Sequence, residues 1–325
     1  MKLKDELLAL FEANKGIYFS GADLAAKLCV SRAAVWKAVN ILRRDGYKID
    51  ALPNKGYSLS VNTDILSAQG IYKYLNPSCS FLKLDVYQEL ESTNAFLRRK
   101  AAEGAPDGYT VLAQSQTQGR GRKGRSFYSP PGTGVYMSLL LRPENMLPED
   151  AVRITTMAAV AACEAIEELS PKRAMIKWVN DIYIDGKKVS GILTEGTLSL
   201  ENGSMEYAVL GIGFNLYPPE NGFPKEITSV AGTVFQERQI DGQNRIAAGF
   251  LNRFVSCYQA GYSTDYINKY KERSLVIGKS VNVLFPDGSR KADALDIDEY
   301  CRLVVKFEDG RVQKLASGEI SVRLS

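Results

Sequence analysis

Apolar residues recur at helical spacing over 2–14, where Leu3, Leu7, Leu10 and Phe11 share one face and Gly16 closes the run. Ser20 with Asp23 forms a capping-box pattern, which predicts a second helix over 21–28. After the short turn at Cys29-Val30, Ser31 caps a third helix over 32–45. That helix turns Val35, Val39 and Leu42 inward and spreads Arg32, Trp36, Lys37, Asn40, Arg43 and Arg44 over its other faces. The period then shortens, and residues 47–51 and 56–60 flank Pro53-Asn54-Lys55-Gly56 as strand, turn and strand. Two helices across a tight turn followed by a hairpin make a winged helix-turn-helix. Residues 61–64 read as a linker.

Beyond it the pattern alternates between short strands and helices. A short helix is expected over 65–75 and a strand over 82–88, followed by an amphipathic helix that starts at Ser92-Thr93-Asn94 and runs to Glu103. Strands follow over 110–116 and 134–141, then a long Ala-rich helix over 149–169, then strands over 175–178, 182–185, 189–197 and 205–214. The segment 217–230, rich in Pro, Gly and Asn, reads as a loop that orders over a ligand, and helices cover 244–261 and 264–273. This order suggests a mixed sheet with helices on one side. From Ser274 the texture changes to short strands over 281–285, 290–297, 301–307, 311–315 and 320–324, with hairpin turns such as Pro286-Asp287-Gly288 and Glu308-Asp309-Gly310. They suit a small SH3-like β-barrel. The chain is therefore read as α+β with three domains, over 1–62, 65–272 and 274–325.

Composition narrows the function. With 45% hydrophobic and 24% charged residues among 325, the chain is an ordinary globular protein. No apolar run reaches membrane-spanning length and the charged N-terminus has no apolar segment, so a cytoplasmic location without membrane contact is expected. Five scattered cysteines fit a reducing compartment. The absence of histidine excludes the usual Ser-His and Cys-His nucleophilic chemistries and leaves lone cysteines as the remaining ligands for a zinc site. Residues 1–62 carry ten Lys/Arg against six Asp/Glu, while the rest is balanced at 31 against 31. All of the net charge of +4 thus lies on the winged module, pointing to a polyanion partner there. A protein-interaction module with a solvated basic face is the other reading.

The densest chemistry lies in Gly119-Arg120-Gly121-Arg122-Lys123-Gly124-Arg125, four cations and three glycines in seven residues. Glycine lets a backbone approach a ligand, and guanidinium groups bind carboxylate or phosphate. The stretch matches the dinucleotide-binding glycine pattern and nearly matches a phosphate loop, but both need a helix to open at the last glycine. Phe127-Tyr128-Ser129-Pro130-Pro131-Gly132 cannot start one. An anion-holding loop and a solvated basic turn remain.

Its neighbours carry a resemblance. Glu91-Ser92-Thr93-Asn94, Gln116, the basic loop, Lys177-Trp178-Val179-Asn180-Asp181, Lys188-Val189-Ser190-Gly191-Ile192-Leu193-Thr194-Glu195 and Gly211-Ile212-Gly213-Phe214-Asn215 occur in order. This set resembles the biotin–protein ligases, and with the winged module it resembles the bifunctional ligase and biotin operon repressor type. The resemblance covers nearly the whole chain. It implies a central biotin ligase catalytic domain that forms biotinyl-5'-AMP from biotin and ATP, with Mg2+, and passes biotin to a lysine of the biotin carboxyl carrier protein of acetyl-CoA carboxylase. It also implies a repressor that binds operator DNA as a homodimer when adenylate-bound.

By motif position the resemblance makes Lys188, Arg122 and Asp181 catalytic. Biotin falls to Ser92, Thr93, Asn94, Gln116, Arg120, Gly121, Arg122, Lys188 and Gly191. ATP and the adenylate fall to Arg120, Arg122, Arg125, Trp178, Asn180 and Asn215. DNA falls to Ser31, Arg32, Lys37, Asn40, Arg43 and Arg44, and no metal ligand is assigned. Bland readings stand beside these: Ser92 or Thr93 as a helix cap, Lys188 as an exposed strand lysine, Trp178 as core and Asp181 as a turn residue. Two positions depart from the family pattern, Val179 where it has Pro and Phe127 where many members have Trp. A ligand-sensing repressor that has lost activity and a lipoate–protein ligase on a related core are the alternatives.

Overall fold

Three amphipathic stretches become α1 (Leu3–Ala13), α2 (Gly21–Lys27) and α3 (Arg32–Arg44). The Ser20 hydroxyl accepts from Asp23 N at 3.0 Å and the Ser31 hydroxyl from Ala34 N at 3.2 Å, satisfying amide groups that a helix start leaves open. Leu7, Phe11, Leu24, Val35, Val39 and Leu42 interdigitate in a dry core. The wing is β1 (Ile49–Leu52) antiparallel to β2 (Gly56–Leu59), with Ile49 opposite Leu59. Gly56 turns it at φ +96°, and a Cβ there would stand 2.0 Å from Phe19 O, so only glycine fits.

The computed structural model describes residues 3–143, 147, 151–198, 203–261, 264–285, 288–316 and 321–324, divided into two compact units. Lys2 and Glu149, the first residues of two expected helices, Pro286-Asp287 of the expected turn and Ile320 of the last expected strand lie outside the described residues.

The first unit is Met1–Leu75 with Arg238–Ala248. The segment read as a linker is held within it: Thr63 Oγ1 donates to Ser60 O at 2.9 Å and Asp64 Oδ1 accepts from Gln243 N at 2.9 Å. Beside α4 (Ala68–Tyr72), two carboxylates with almost no exposed surface, Glu12 and Asp241, meet two ammonium groups. Lys73 Nζ is 2.8 Å from Glu12 Oε2 and 2.7 Å from Asp241 Oδ2, and Lys15 touches both acids. Burial pushes the Asp241 carboxyl up, but hydrogen bonds from Lys15, Lys73 and Tyr74 hold it below its ordinary value.

The second unit, Asn76–Glu237 with Gly249–Ser325, is built on a seven-stranded sheet. Its order is β3 (Lys83–Leu90), β4 (Tyr109–Gln116), β5 (Gly134–Leu141), β9 (Met205–Asn215), β8 (Lys187–Leu198), β7 (Asp181–Ile184) and β6 (Met175–Lys177). Only β3 and β4 run parallel, and α5 (Thr93–Ala102) makes their crossover. The helices cover both faces, not one. Asn94 of α5 lies on Gly211, whereas Phe214, of opposite strand parity, meets Phe250 of α7 (Gly242–Gln259) with ring centroids 5.9 Å apart. Thr155 of α6 (Ala151–Leu169) shares a 2.7 Å hydrogen bond with Thr194 on that second face. α8 (Thr264–Glu272) packs on α6.

β10 (Ser280–Phe285), β11 (Gly288–Ile297), β12 (Leu303–Phe307), β13 (Val312–Leu315) and β14 (Ser321–Leu324) form an antiparallel sheet in the order β13-β12-β11-β10-β14. The hairpin spacing led to the expectation of short antiparallel strands here, and the strands form a meander whose last member returns to pair with the first. Among the described residues no helix is long and apolar enough to cross a membrane.

Candidate active site

One cleft of the second unit opens on the α5 face of the sheet, and its floor is bare. Gly191 of β8 pairs with Gly213 of β9, and Gly211 lies two residues along the same face. A Cβ on Gly211 would fall 2.0 Å from Asn94 Oδ1, and one on Gly213 2.5 Å from the Phe127 ring. Glycines on one face at strand period two leave the room that side chains would fill. Gly211→Ala should therefore push Asn94 off the floor. Overpacking of this kind costs about 1–3 kcal/mol, so a rise of roughly tenfold in the KM for the ligand at this end is expected, with folding retained. Unchanged steady-state kinetics would show that the cleft is not bound there.

The N-terminal end of α5 forms one wall. Ser92 accepts from Ala95 N at 3.4 Å, so the cap reading holds, and the same residue lines the cleft. Thr93 donates from its main-chain N at 2.8 Å and from its hydroxyl at 3.1 Å to Gln116 Oε1. Gln116 Nε2 donates to Ser129 Oγ at 3.0 Å.

The basic loop forms the second wall as a small closed hairpin. Gly121 N donates to Arg125 O at 2.7 Å and Phe127 N to Gly119 O at 2.8 Å. Lys123 at φ 57° and Gly124 at φ 72° turn the chain between them. The hairpin aims Arg122 inward, where Nη1 donates to Asn180 Oδ1 at 3.3 Å, and Asn180 Nδ2 donates to Ile192 O at 2.8 Å. Burial pulls the Arg122 guanidinium down from its ordinary value, while the Asp181 charge works against that. Arg120 and Arg125 line the cleft mouth and are exposed, with Arg120 3.9 Å from Glu91.

Lys188 reaches the cleft through a break in pairing. The register of β7 on β8 shifts between Ile182 and Tyr183, so Lys188 shares the face of Gly191. A Cβ on Gly191 would lie 3.1 Å from Lys188 Cε. The strand is clasped from outside, since Lys188 N donates to Val230 O at 2.7 Å and Gly232 N to Lys188 O at 2.9 Å. The segment 217–230, turns without helix or strand, thus ends against the lysine's own backbone. Lys188 Nζ lies 2.7 Å from Asp181 Oδ1, a close ion pair outside hydrogen-bond alignment.

Fourteen residues assigned by motif fall in this unit, and the cleft gathers thirteen of them. Asn215 is the exception: it pairs with Gly134 at the end of β9, its carbonyl accepts from Val234 N, and it is not among the lining residues. Trp178 is both wall and core, being buried with its indole N–H donating to Cys301 O at 3.1 Å. The peptide after it, Trp178–Val179, is cis. Sequence reasoning missed Gly211 and Gly213 as floor, although their spacing on a strand signalled it. It also missed Ser138, the one serine in a strand of otherwise apolar and aromatic residues. On α3, Arg32, Lys37 and Arg44 are exposed and Asn40 half-exposed, while the Ser31 hydroxyl is used as the cap. Arg43 donates from Nε and Nη2 to Ile49 O at 3.0 and 2.7 Å, so its guanidinium braces the wing.

Cations converging on a bare sheet face beside a helix N-terminus suit the joining of two anions, which sets this unit among the carboxylate-activating ligases. The model of the biotin/lipoate A/B protein ligase family matches residues 86–215, that of an HTH domain residues 4–58, and that of the biotin protein ligase C-terminal domain residues 276–323. The bifunctional ligase/repressor BirA of Bacillus subtilis is 33% identical over 98% of both chains, and that of Escherichia coli 28% identical over 98% of this chain and 96% of its own. The biotin protein ligase of Aquifex aeolicus, solved with biotin and ATP, superposes with a TM-score of 0.64 at 27% identity, over 75% of this chain and all of its own. The chain belongs to the bifunctional ligase/repressor BirA family.

Proposed function

We propose that the cleft makes biotinyl-5'-AMP and then biotinylates a carrier lysine. A biotin carboxylate oxygen attacks the α-phosphorus of ATP and pyrophosphate leaves. A lysine amine of the carrier then attacks the acyl carbon and AMP leaves. Both substrates are anions, so the first step needs fixed positive charge where they meet. The convergence of Arg122, Lys188 and Asp181 over the Gly191–Gly213 floor is the observation that carries this reading.

Lys188 and Arg122 hold the carboxylate and phosphate oxygens, Arg120 and Arg125 close the mouth, and Asn180 orients Arg122. Ser92, Thr93, Asn94 and Gln116 receive the ureido ring, with Gly121 and Gly191 allowing close approach. Trp178 borders the adenylate, and Asn215 acts only from behind the lining. Asp181, beside Lys188, is placed to take the proton of the incoming amine. Mg2+ enters bound to ATP, and the acceptor is the biotin carboxyl carrier protein of acetyl-CoA carboxylase. The retained cations argue against an inactive repressor, and the polar end at Thr93 and Gln116 favours biotin over lipoate. A thermal-shift comparison tests this: biotin and ATP should raise the unfolding temperature and lipoate should not. A shift with lipoate alone would reverse the substrate assignment.

The winged module is proposed to read operator DNA through α3, in a protein divided for function at 1–62, 65–272 and 274–325. The face of α3 opposite its core carries Trp36, 56% exposed, with Lys37, Asn40 and Arg44. Replacing Lys37 and Arg44 by Ala should weaken DNA binding and lower the slope of log affinity against log salt by about 2, one per lost phosphate contact. An unchanged slope in fluorescence titrations would remove both residues from the interface. The adenylate-bound protein is proposed to dimerise, with residues 119–125 and 217–230 ordering at the contact, so that two modules reach two half-sites. Equal sedimentation with and without biotin and ATP would contradict this.

A further inference from the structure

Behind the polar wall lies a hydrogen-bond relay whose protons can be assigned by elimination. Ser138, fully buried on β5 and outside the cleft lining, has its hydroxyl 2.6 Å from Asn94 Oδ1 and 2.8 Å from Thr93 Oγ1. Asn94 is oriented from its other end, where Nδ2 donates to Glu195 Oε2 at 2.9 Å and to Leu193 O at 3.2 Å. Its oxygen must therefore face Ser138, and an amide oxygen only accepts. The single Ser138 proton goes to Asn94. Thr93 Oγ1 then has two acceptors within reach, Ser138 Oγ and Gln116 Oε1. Gln116 is itself oriented, because its Nε2 donates to Ser129 and its oxygen already takes the Thr93 amide. Whichever acceptor Thr93 uses, its proton is spent inside the protein, and its oxygen offers the cleft only a lone pair.

We propose that Ser138 is a positioning residue that, held by Asn94 and Glu195, fixes Thr93 as an acceptor for a ring N–H of the ligand. This rests on the biotin reading and gives it a source of specificity. A cyclic urea has ring N–H donors, whereas the dithiolane of lipoate has none. A site polarised this way strengthens binding of the first and leaves its own oxygen unpaired with the second. Asn94 can lie close enough to complete the relay because Gly211 has no side chain beneath it.

Steady-state pyrophosphate release by the full chain tests the idea. Ser138→Ala should raise the KM for biotin roughly fivefold to tenfold, the usual size of one net hydrogen bond, and leave kcat and the KM for ATP unchanged. The discriminating ligands are two biotin analogues, each with one ring N–H replaced by oxygen. The unmodified protein should bind one of them more weakly than biotin, and Ser138→Ala should lose that preference. Combined with Thr93→Val, the two KM effects should not add, since both act on one hydroxyl. Glu195→Ala, at the outer end of the relay, should show the same ligand dependence at smaller size and serves if Ser138→Ala does not fold. Equal loss for biotin and both analogues, a fall in kcat, or additive effects would overturn the proposal. Failure of the unmodified protein to release pyrophosphate with biotin would instead overturn the biotin reading.

Discussion

Lys188→Ala should slow adenylate formation by roughly 10²- to 10³-fold, the usual cost of removing one fixed donor from developing charge. The ammonium lies over Gly191, 2.7 Å from Asp181, at the point where carboxylate and phosphate have to meet. Little folding energy is at stake, because the side chain is partly exposed and the strand is held by its backbone bonds to Val230 and Gly232. A thermal unfolding curve close to that of the unmodified protein is expected, together with near loss of biotin-dependent pyrophosphate release. A folded variant releasing pyrophosphate at a near-normal rate would remove Lys188 from the chemistry. Lys188→Arg should rescue little, since a planar fork does not replace a point charge of that reach.

Arg122→Gly should let the adenylate escape before transfer. Arg122 is the one guanidinium of the loop anchored inward, through Asn180 to Ile192 O. Losing a charge-assisted hydrogen bond worth about 1.5–3 kcal/mol should raise the release rate roughly tenfold to hundredfold. The released mixed anhydride would then acylate lysines on unrelated proteins. Incubating the variant with biotin, ATP and a bystander protein, then probing for biotin, measures this directly. An unlabelled bystander and an unchanged adenylate lifetime would show that Arg122 does not retain the intermediate. Replacing Arg120 should do less, because its side chain is exposed and reaches only toward Glu91 at 3.9 Å.

Much of the fold was legible because each element carried its own signal. Ser20, Ser31 and Ser92 cap the helices they were expected to cap, and the wing turns at Gly56. What escaped the sequence depended on pairing between distant strands. The register shift that brings Lys188 onto the face of Gly191 cannot be read from strand alternation, which would send it the other way. The expectation of helices on one side failed because parity shows which residues share a face but not which helix covers them. Asn94 on Gly211 and Phe214 on Phe250 settle that. In the site, motif position located Lys188, Asp181 and Arg122, but it said nothing of Ser138, whose role exists only through contacts with residues 44 and 45 positions away. Asn215 shows the opposite case, since membership in a motif assigned it to the ligand while it pairs with Gly134 at the end of β9, outside the lining of the cleft.

The most direct test of carboxylate activation in this cleft is rapid mixing of the full chain with ATP and Mg2+, with no carrier protein, and counting pyrophosphate. Biotin should give a burst of about one pyrophosphate per chain that then stalls because the adenylate stays bound, and lipoate should give none. No burst with biotin, or an equal burst with lipoate, would contradict it.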